Sequence, residues 1–345
     1  MNDIPCILTI AGSDSCGGAG IQADLKTFAM HGTYGASVIT ALTAQNTLGV
    51  DDIHAVPGRF VAQQLKSVLT DINIRAAKTG MLLSQTIIQA VAPFLKQKKF
   101  PLVVDPVCVS QSGHKLLEDS AVQAMVERIF PHADLLTPNL PETELFTGIR
   151  IRSSDDVDAA GKKFLAMGPK AVLIKGGHDE GSVAVTDWLV LPNQKPLPYM
   201  QPRVKTRNNH GTGCTLSAAI AAQLGLGLDV PKAVRAAQRY LNLALRSAFD
   251  VGQGAGPPNH LAPLLRERGR EDTLTALDAI GYSLSLVDGL SRMLPAGLAN
   301  VGVALSYAEE ASDVASFSGG LVRGRSGHIE VSGCPLFSAS PETAA

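Results

Sequence analysis

Asn208-Asn209-His210-Gly211-Thr212-Gly213-Cys214-Thr215 runs directly into Leu216-Ser217-Ala218-Ala219-Ile220-Ala221-Ala222. A turn flanked by two glycines meets an Ala-rich stretch with Leu and Ile at helical spacing, so a helix begins here. Its first N–H groups lack partners inside the helix, which makes the turn a site for phosphate or a developing anion. Gly211 and Gly213 let a bulky anion reach the backbone where a Cβ would interfere. Cys214 falls in the first turn, where the helix dipole and unpaired donors favour thiolate over thiol. The same pattern equally suits a small buried cysteine packing a helix on a sheet. The rest of the chain has to separate the two readings.

Upstream, Cys6-Ile7-Leu8-Thr9-Ile10 is a short apolar run ending in the glycine-rich stretch 11–20. A helix follows with Ile21, Leu25, Phe28 and Ala29 on one face. A buried strand, a glycine loop and a helix form the opening unit of a parallel sheet, whose ligand side lies at the strand's C-terminal end. The loop has neither the Lys-Ser/Thr of a P-loop nor the GxGxxG of a dinucleotide fingerprint. The pattern repeats along the chain. Residues 36–46 read as one strand, 60–72 as a helix and 76–82 as a short strand and loop. Ile87, Ile88, Val91 and Leu95 mark a helix closed by Lys96, Lys98 and Lys99. Leu102-Val103-Val104 ends in Asp105-Pro106, a helix covers about 117–130, and Leu135-Leu136 leads into Thr137-Pro138-Asn139-Leu140-Pro141-Glu142. Ala171-Val172-Leu173-Ile174 ends at Lys175-Gly176-Gly177. Helices of roughly 213–224 and 229–249 follow the opening stretch. Short apolar strands alternating with amphipathic helices predict an α/β sandwich.

The formal net charge of -1 leaves no electrostatic footprint for nucleic acid or a membrane surface. No apolar run is long enough to span a bilayer, and Met1-Asn2-Asp3-Ile4-Pro5 lacks a basic n-region, so a cytoplasmic protein is expected. The 5 cysteines are odd in number and scattered, with no CxxC pair, which argues against a disulfide framework and a structural zinc site.

Beyond the first part, residues 266–272 form a charged, Gly-containing run that reads as a linker. Leu274, Leu277, Ile280, Leu284, Val287, Leu290 and Leu294 then step by threes and fours, predicting one long helix stopped by Pro295. Alternation at Val301, Val303 and Leu305, and at Ile329 and Val331, predicts short strands. Residues 338–345 are expected to fray. The domain reading is therefore 1–265, a linker at 266–272, and a small α+β extension at 273–345.

Asp24, Gln45, Met81, Asp105, Asn139, Glu142, Lys175 and Cys214 all fall at or just past strand ends or helix starts. In an open α/β sheet such positions converge on one crevice. Each has an ordinary reading: Asp105 could simply end a strand, Glu142 could lie in a solvated first turn, Lys175 could be a surface lysine. Together they supply a carboxylate pair suited to Mg²⁺ through water, a cation for phosphates and an anion hole. Phosphoryl transfer needs that set, because its catalysis is mostly positioning and charge stabilisation.

Seven ordered motifs make the likeness specific. They are Ala-Gly-Ser-Asp-Ser-Cys-Gly-Gly-Ala-Gly-Ile-Gln-Ala-Asp (11–24), Thr-Ala-Leu-Thr-Ala-Gln-Asn-Thr (40–47), Lys-Thr-Gly-Met-Leu (78–82), Asp-Pro-Val (105–107), Thr-Pro-Asn-Leu-Pro-Glu (137–142), Ile-Lys-Gly-Gly-His (174–178) and His-Gly-Thr-Gly-Cys-Thr (210–215). The stretch from about 4 to 265 resembles the hydroxymethylpyrimidine/phosphomethylpyrimidine kinases of the ribokinase-like superfamily. The resemblance implies a three-layer α/β/α sandwich with a mostly parallel central sheet. It implies ATP- and Mg²⁺-dependent phosphorylation of 4-amino-5-hydroxymethyl-2-methylpyrimidine, then of its monophosphate, in thiamine biosynthesis, by a homodimer.

By that family's pattern, Gly12, Asp24, Gln45, Met81 and Val107 line the pyrimidine pocket. Asn139, Glu142 and Lys175 serve ATP phosphates and Mg²⁺, with Asp105 the second carboxylate. Gly211, Thr212 and Gly213 form the anion hole, and Cys214 stands where related sugar kinases keep an aspartate base. Gln45 also makes sense on chemistry alone, since a primary amide matches the donor and acceptor edge of an aminopyrimidine. The chain departs from the pattern at Cys108 and Gln111, where Met and Lys are usual, and at Asn209, where a small hydroxyl residue is usual; the loss of Lys at 111 bears on the second phosphorylation. Residues 298–305, 312–320 and 333–340 are similar to the start of a ThiN-type thiamine-phosphate synthase domain, and synthase activity is not expected of so short a piece. A pyridoxal kinase of the same fold and a non-catalytic ligand sensor are the competing readings.

Overall fold

The computed structural model describes residues 4–109, 116–177, 183–295, 299–324 and 327–337. They fall into two compact units, residues 1–261 and 262–345.

In the first unit the chain runs β1 (Cys6–Ala11), α1 (Gly20–Met30), β2 (Tyr34–Ile39), β3 (Ala41–Gln45), β4 (Val50–Ala55), α2 (Gly58–Asp71) and β5 (Ile74–Thr79). It continues with α3 (Gln85–Lys96), β6 (Leu102–Val104), α4 (Asp119–Arg128), β7 (Leu135–Leu136), α5 (Leu140–Thr147), α6 (Ser154–Ala166) and β8 (Val172–Ile174). An antiparallel pair, β9 (Ala184–Val190) and β10 (Leu197–Pro202), precedes α7 (Thr212–Gly225) and α8 (Val230–Arg246). The main sheet has the order β10-β9-β8-β7-β6-β5-β1-β2, parallel from β8 to β2. Strand alternation sorts side chains between two helical layers. Leu8, Ile10, Val104, Leu136 and Ile174 pack with Val61, Ile88, Val91, Ala160 and Phe164 of α2, α3 and α6. Ile7, Ala76, Val103, Leu135 and Leu173 pack with Phe28 of α1 and with the alanines of α7 and α8 on the other face. This is the expected α/β/α sandwich with a mostly parallel sheet.

The chain turns from β1 to β2 on one side and returns to β5 and onward on the other. That reversal beside β1 opens a crevice at the strands' C-terminal ends, where such sheets bind ligands. Residues 36–46 are not one strand, as the apolar pattern suggested. Thr40 breaks the run: its N–H goes to the Ala11 carbonyl and its Oγ1 to the Met81 carbonyl, 2.7 Å away. Beyond it, β3 leaves the main sheet and pairs only with β4 in a two-stranded ribbon. The sequence reading also passed over the antiparallel β9 and β10 at the far edge.

In the second unit α9 (Ala262–Ser285) accompanies a three-stranded sheet of β11 (Gly302–Ala304), β12 (Val314–Phe317) and β15 (Pro335–Phe337). A ribbon of β13 (Leu321–Arg323) and β14 (Ile329–Val331) completes it. Its core is Leu277, Ala315, Phe317, Leu321 and Ile329. The α+β character is as expected, but the linker is a correction. Residues 266–272 lie inside α9, and the helix ends at Ser285 rather than near Pro295. The charges that suggested a linker are helical partners: Arg270 pairs with Glu267 one turn back at 2.9 Å and stacks over Phe337. Leu298 and residues 338–345 lie outside the described residues.

Candidate active site

Four helices of this unit, α1, α2, α4 and α7, start without a side-chain cap. Ser84, Asn139, Ser153 and Asp229 cap α3, α5, α6 and α8 with side-chain acceptors, as serine, asparagine and aspartate do. Gly211, which precedes α7, has φ +82° and supplies no side-chain cap. A Cβ there would collide with the carbonyl oxygen of Gly18, so the 12–20 loop and the α7 turn cross backbone on backbone. Donors that α3, α5, α6 and α8 spend on caps stay available at α7, where the glycine turn also lets an anion approach.

Lys175, just past β8, and Asp105, just past β6, form an ion pair of 2.7 Å against this terminus. A Cβ on Gly213 would lie 3.4 Å from Lys175 Nζ and 3.5 Å from Asp105 Oδ2. Thr137 Oγ1 donates to Asp105 Oδ1 at 3.1 Å, and Ser217 Oγ to Oδ2 at 3.4 Å. Burial works to raise the Asp105 carboxyl, but Lys175 and Lys78 outweigh it and hold it below the ordinary range. Glu142 starts α5 through a capping box: its N–H goes to Asn139 Oδ1, and its Oε2 accepts the Asn139 N–H, both at 2.8 Å. Its other oxygen faces the Cys108 N–H at 3.4 Å. Burial and the Asp105 charge, against the pull of Lys175, push the Glu142 carboxyl up to about 7. Two carboxylates share one lysine, so the cluster carries spare negative charge. Among the described residues no group of three His, Cys, Asp or Glu side chains could cage a metal. Mg²⁺ does not require one, since it usually keeps waters and takes one or two carboxylates plus phosphate oxygens. Asp105 and Glu142 fit that mode through water.

A second ion pair lies one strand over. Lys78, on β5, meets Asp24 of α1 at 3.0 and 3.2 Å, and Thr9 Oγ1 donates to Asp24 Oδ2 at 2.6 Å. Both side chains are fully buried. Asp24, expected against the pyrimidine, has both oxygens committed inside the protein. One helical turn before it, the Gly20 N–H is hydrogen-bonded to the Cys214 thiol. Burial pushes that thiol up to about 11; Lys78 and the Gly20 N–H oppose the rise, while Asp24 and Asp105 add to it. The helix terminus therefore does not bring Cys214 below the free thiol value, as the sequence had suggested. Desolvation outweighs the dipole.

The remaining candidates lie along the 12–20 loop. A Cβ on Gly12 would run into the Met81 methyl, so the two stack. Val107 donates its N–H to the Asp105 carbonyl at 2.9 Å. Gln45 ends β3, with its backbone N–H and carbonyl both tied to Ser15 Oγ and Nε2 lying 3.1 Å from His210 Nε2. The same His210 atom is 2.8 Å from Asp14 Oδ2. The structure thus gathers Asp105, Asn139, Glu142, Lys175, Gly213 and Cys214 in one cluster and puts Gln45 with His210 and Asp14 in another. Sequence reasoning missed Lys78, Thr9, Thr137 and Ser217, and it gave no role to Asp14 and His210. Gln111 and His178 lie outside the described residues.

Residues 14–259 match the family described as phosphomethylpyrimidine kinase. The chain belongs to this family. It is 46% identical over 265 residues to the hydroxymethylpyrimidine/phosphomethylpyrimidine kinase of Haemophilus influenzae, an alignment covering 76% of this kinase and 98% of that one. The phosphomethylpyrimidine kinase structure from Clostridium difficile aligns with a TM-score of 0.61 at 44% identity, covering 69% of this chain and 98% of that one. An ADP complex of Bacillus subtilis pyridoxal kinase aligns with a TM-score of 0.71 at 34% identity, covering 76% and 100%. Residues 277–345 of the kinase match a second family, thiamine-phosphate synthase ThiN. Among the described residues no helix is long and apolar enough to cross a membrane.

Proposed function

We propose that this kinase transfers the γ-phosphoryl group of ATP to the hydroxymethyl oxygen of 4-amino-5-hydroxymethyl-2-methylpyrimidine, and then phosphorylates the monophosphate, in thiamine biosynthesis. The observation that carries the reading is the uncapped start of α7 set against the Lys175–Asp105 pair. Backbone N–H groups of Gly211, Thr212 and Gly213 and the Lys175 ammonium would meet the charge that develops on the transferring phosphoryl oxygens. Asn139 and Glu142 border the same cluster from α5. Mg²⁺, held through water by Asp105 and Glu142, would neutralise phosphate charge when bound. Gln45, Gly12, Met81 and Val107 would line the ring, and Asp24 would act at one remove through Lys78.

In the transfer, the hydroxymethyl oxygen bonds to the γ-phosphorus, the bond to the ADP oxygen breaks, and the hydroxyl proton passes to Cys214 Sγ. A thiolate of high pKa is scarce near neutral pH but is a strong base once formed. The loose transition state of phosphoryl transfer asks little of a base before the bond to phosphorus forms.

Pyridoxal is the second candidate, because the Bacillus subtilis pyridoxal kinase aligns so closely. Following ADP release with each ring, and with the pyrimidine monophosphate, decides between them. The expected result is Mg²⁺-dependent turnover of the pyrimidine and its monophosphate, with pyridoxal a poor substrate. Preference for pyridoxal would replace the reading. Assaying thiamine phosphate formation in parallel tests whether a second activity accompanies residues 277–345. The β3–β4 ribbon exposes Leu42 on its strand and Leu48 in its turn, 45% and 65% accessible, which supports a homodimer that sedimentation can test. Its need for ATP favours the cytoplasm.

A further inference from the structure

The hydrogen bonds around Gln45 favour one orientation of its amide over the other. Asp14, in the loop after β1, accepts the Cys16 N–H on Oδ1 at 2.8 Å and the Gly18 and Ala19 N–H groups on Oδ2 at 3.0 and 2.8 Å. Burial opposes its charge, but His210 and these N–H groups hold the carboxyl below its ordinary value, so it is ionised. An ionised carboxylate only accepts. His210 Nε2, 2.8 Å from Asp14 Oδ2, must therefore carry its proton. An amide nitrogen of Gln45 facing that atom at 3.1 Å would set donor against donor.

The other end of the amide favours the same orientation. Thr43 Oγ1 has one proton, and it faces both the Ser13 carbonyl at 2.9 Å and the Gln45 amide at 3.3 Å. A single hydroxyl proton would have to be shared between the two oxygens, with the longer contact the weaker. Exchanging oxygen and nitrogen in the Gln45 amide replaces the donor–donor clash with a three-centre bond, the His210 Nε2 proton shared between Asp14 Oδ2 and the Gln45 oxygen, and leaves the Thr43 proton to Ser13 alone; amide atoms are assigned from their network in any case. The oxygen then accepts from His210 Nε2, and the amino group donates to Thr43. With the Gln45 backbone pinned by Ser15 Oγ at 2.7 and 2.8 Å, little else in the residue is free to turn.

We propose that Asp14 and His210 are positioning residues that lock the Gln45 amide in one sense, oxygen toward His210 and amino group toward Thr43, and so fix the orientation of the substrate ring. The amino group has two protons and Thr43 takes one, which leaves one N–H for a ring nitrogen. The proposal rests on the pyrimidine reading above. A 4-aminopyrimidine edge carries a ring-nitrogen acceptor beside an amino donor. An amide of fixed sense admits that edge with one face of the ring up, and the face decides on which side the neighbouring hydroxymethyl group emerges. Without the lock, the amide could turn over and accept the ring reversed.

The first test needs no substrate. In ¹⁵N NMR of the full chain, His210 Nε2 should have the shift of a protonated, pyrrole-type nitrogen at neutral pH, and a pyridine-type Nε2 would overturn the proposal. The second test compares the pyrimidine with the two aminopyridines in which one ring nitrogen is replaced by C–H. In the wild type one of the two should bind roughly tenfold or more weaker, the usual effect of a donor left unpaired. His210→Leu should shrink that ratio to within about threefold. His210→Gln should keep the ratio, because its amide N–H can still bridge Asp14 and the Gln45 oxygen. KM for ATP should change little in either variant. Asp14→Asn, similar in size, replaces His210→Leu if that variant does not fold, and should likewise shrink the ratio. A full-sized ratio in a folded His210→Leu or Asp14→Asn protein would overturn the lock. Absence of pyrimidine turnover in the wild type would instead overturn the function on which it rests.

Discussion

Lys78 meets Asp24 with both side chains wholly buried, whereas Lys175, which meets Asp105, keeps 13% of its side chain accessible and shares its charge with Glu142. The first pair balances one cation with one carboxylate and fills the second oxygen from Thr9. The second leaves a carboxyl near neutrality at about 7 and abuts an uncapped helix start. Closed charge holds a sheet and a helix together. Unbalanced charge at an open terminus is what a phosphate or a divalent cation can use. Cys214 lies within electrostatic reach of both pairs, so it is where the contrast can be read.

Removing the thiol should have the largest effect. Cys214→Ala should lower kcat by roughly 10²–10⁴-fold with pyrimidine affinity nearly intact, the range expected for lost proton-transfer catalysis. Wild-type kcat should keep rising through the alkaline range, because the thiol titrates near 11, and that rise should vanish in the variant. A near-wild-type rate in Cys214→Ala would reduce the residue to packing.

Next comes the closed pair. Lys78→Met strands a buried carboxylate and should cost about 3–5 kcal/mol in urea unfolding, with most of the loss recovered in Lys78→Met/Asp24→Leu. A cost under about 1 kcal/mol would mean that Asp24 is not held as a buried charge.

The open pair should break the other way. Lys175→Met should lose roughly 10²-fold in kcat, comparable to removing one preorganised charge-stabilising group. Its stability loss should be smaller than that of Lys78→Met, because Glu142 can take up a proton and Asp105 keeps Thr137 and Ser217. Equal destabilisation of the two lysine variants would erase the distinction between the pairs.

The smallest effect is a pH slope. The Glu142 carboxyl titrates at about 7 in the folded protein, above its ordinary 4.5. Its contribution to stability is therefore full below the ordinary value and is lost as pH rises through about 7. The Tm of the wild type, measured against Glu142→Gln, should fall by a few degrees between mildly acidic and mildly alkaline pH, and a flat difference would contradict the raised value. The same substitution should lower kcat at saturating Mg²⁺ more than it weakens pyrimidine binding.

Periodicity in the sequence carried most of the sandwich, because each parallel strand is buried on both faces and ends in a chemically distinct residue. The open cluster was legible for the same reason: Asp105, Glu142 and Lys175 each punctuate an apolar run. The closed pair was not. Lys78 sits inside Ala76-Ala77-Lys78-Thr79, and nothing along the chain says that Asp24, 54 positions away, arrives beneath it. The Cys214 titration was misjudged because helix dipoles are local and readable, while desolvation depends on everything packed around the thiol. Residues 266–272 misled for a related reason. Charges three apart describe a solvated helix as well as a linker, and only the packing of Leu277 on Phe317 and its neighbours decides between them.

The crossing of Gly18 and Gly211 has a consequence for anyone diversifying this enzyme. A saturation library at position 211 should return only the parental codon among active clones, since any side chain must adopt φ +82° and push through the Gly18 carbonyl. The two loops joined there lie far apart in the sequence, so recombination with a homologue must carry both from one parent. Crossovers placed between them would separate surfaces that fit only as a matched set.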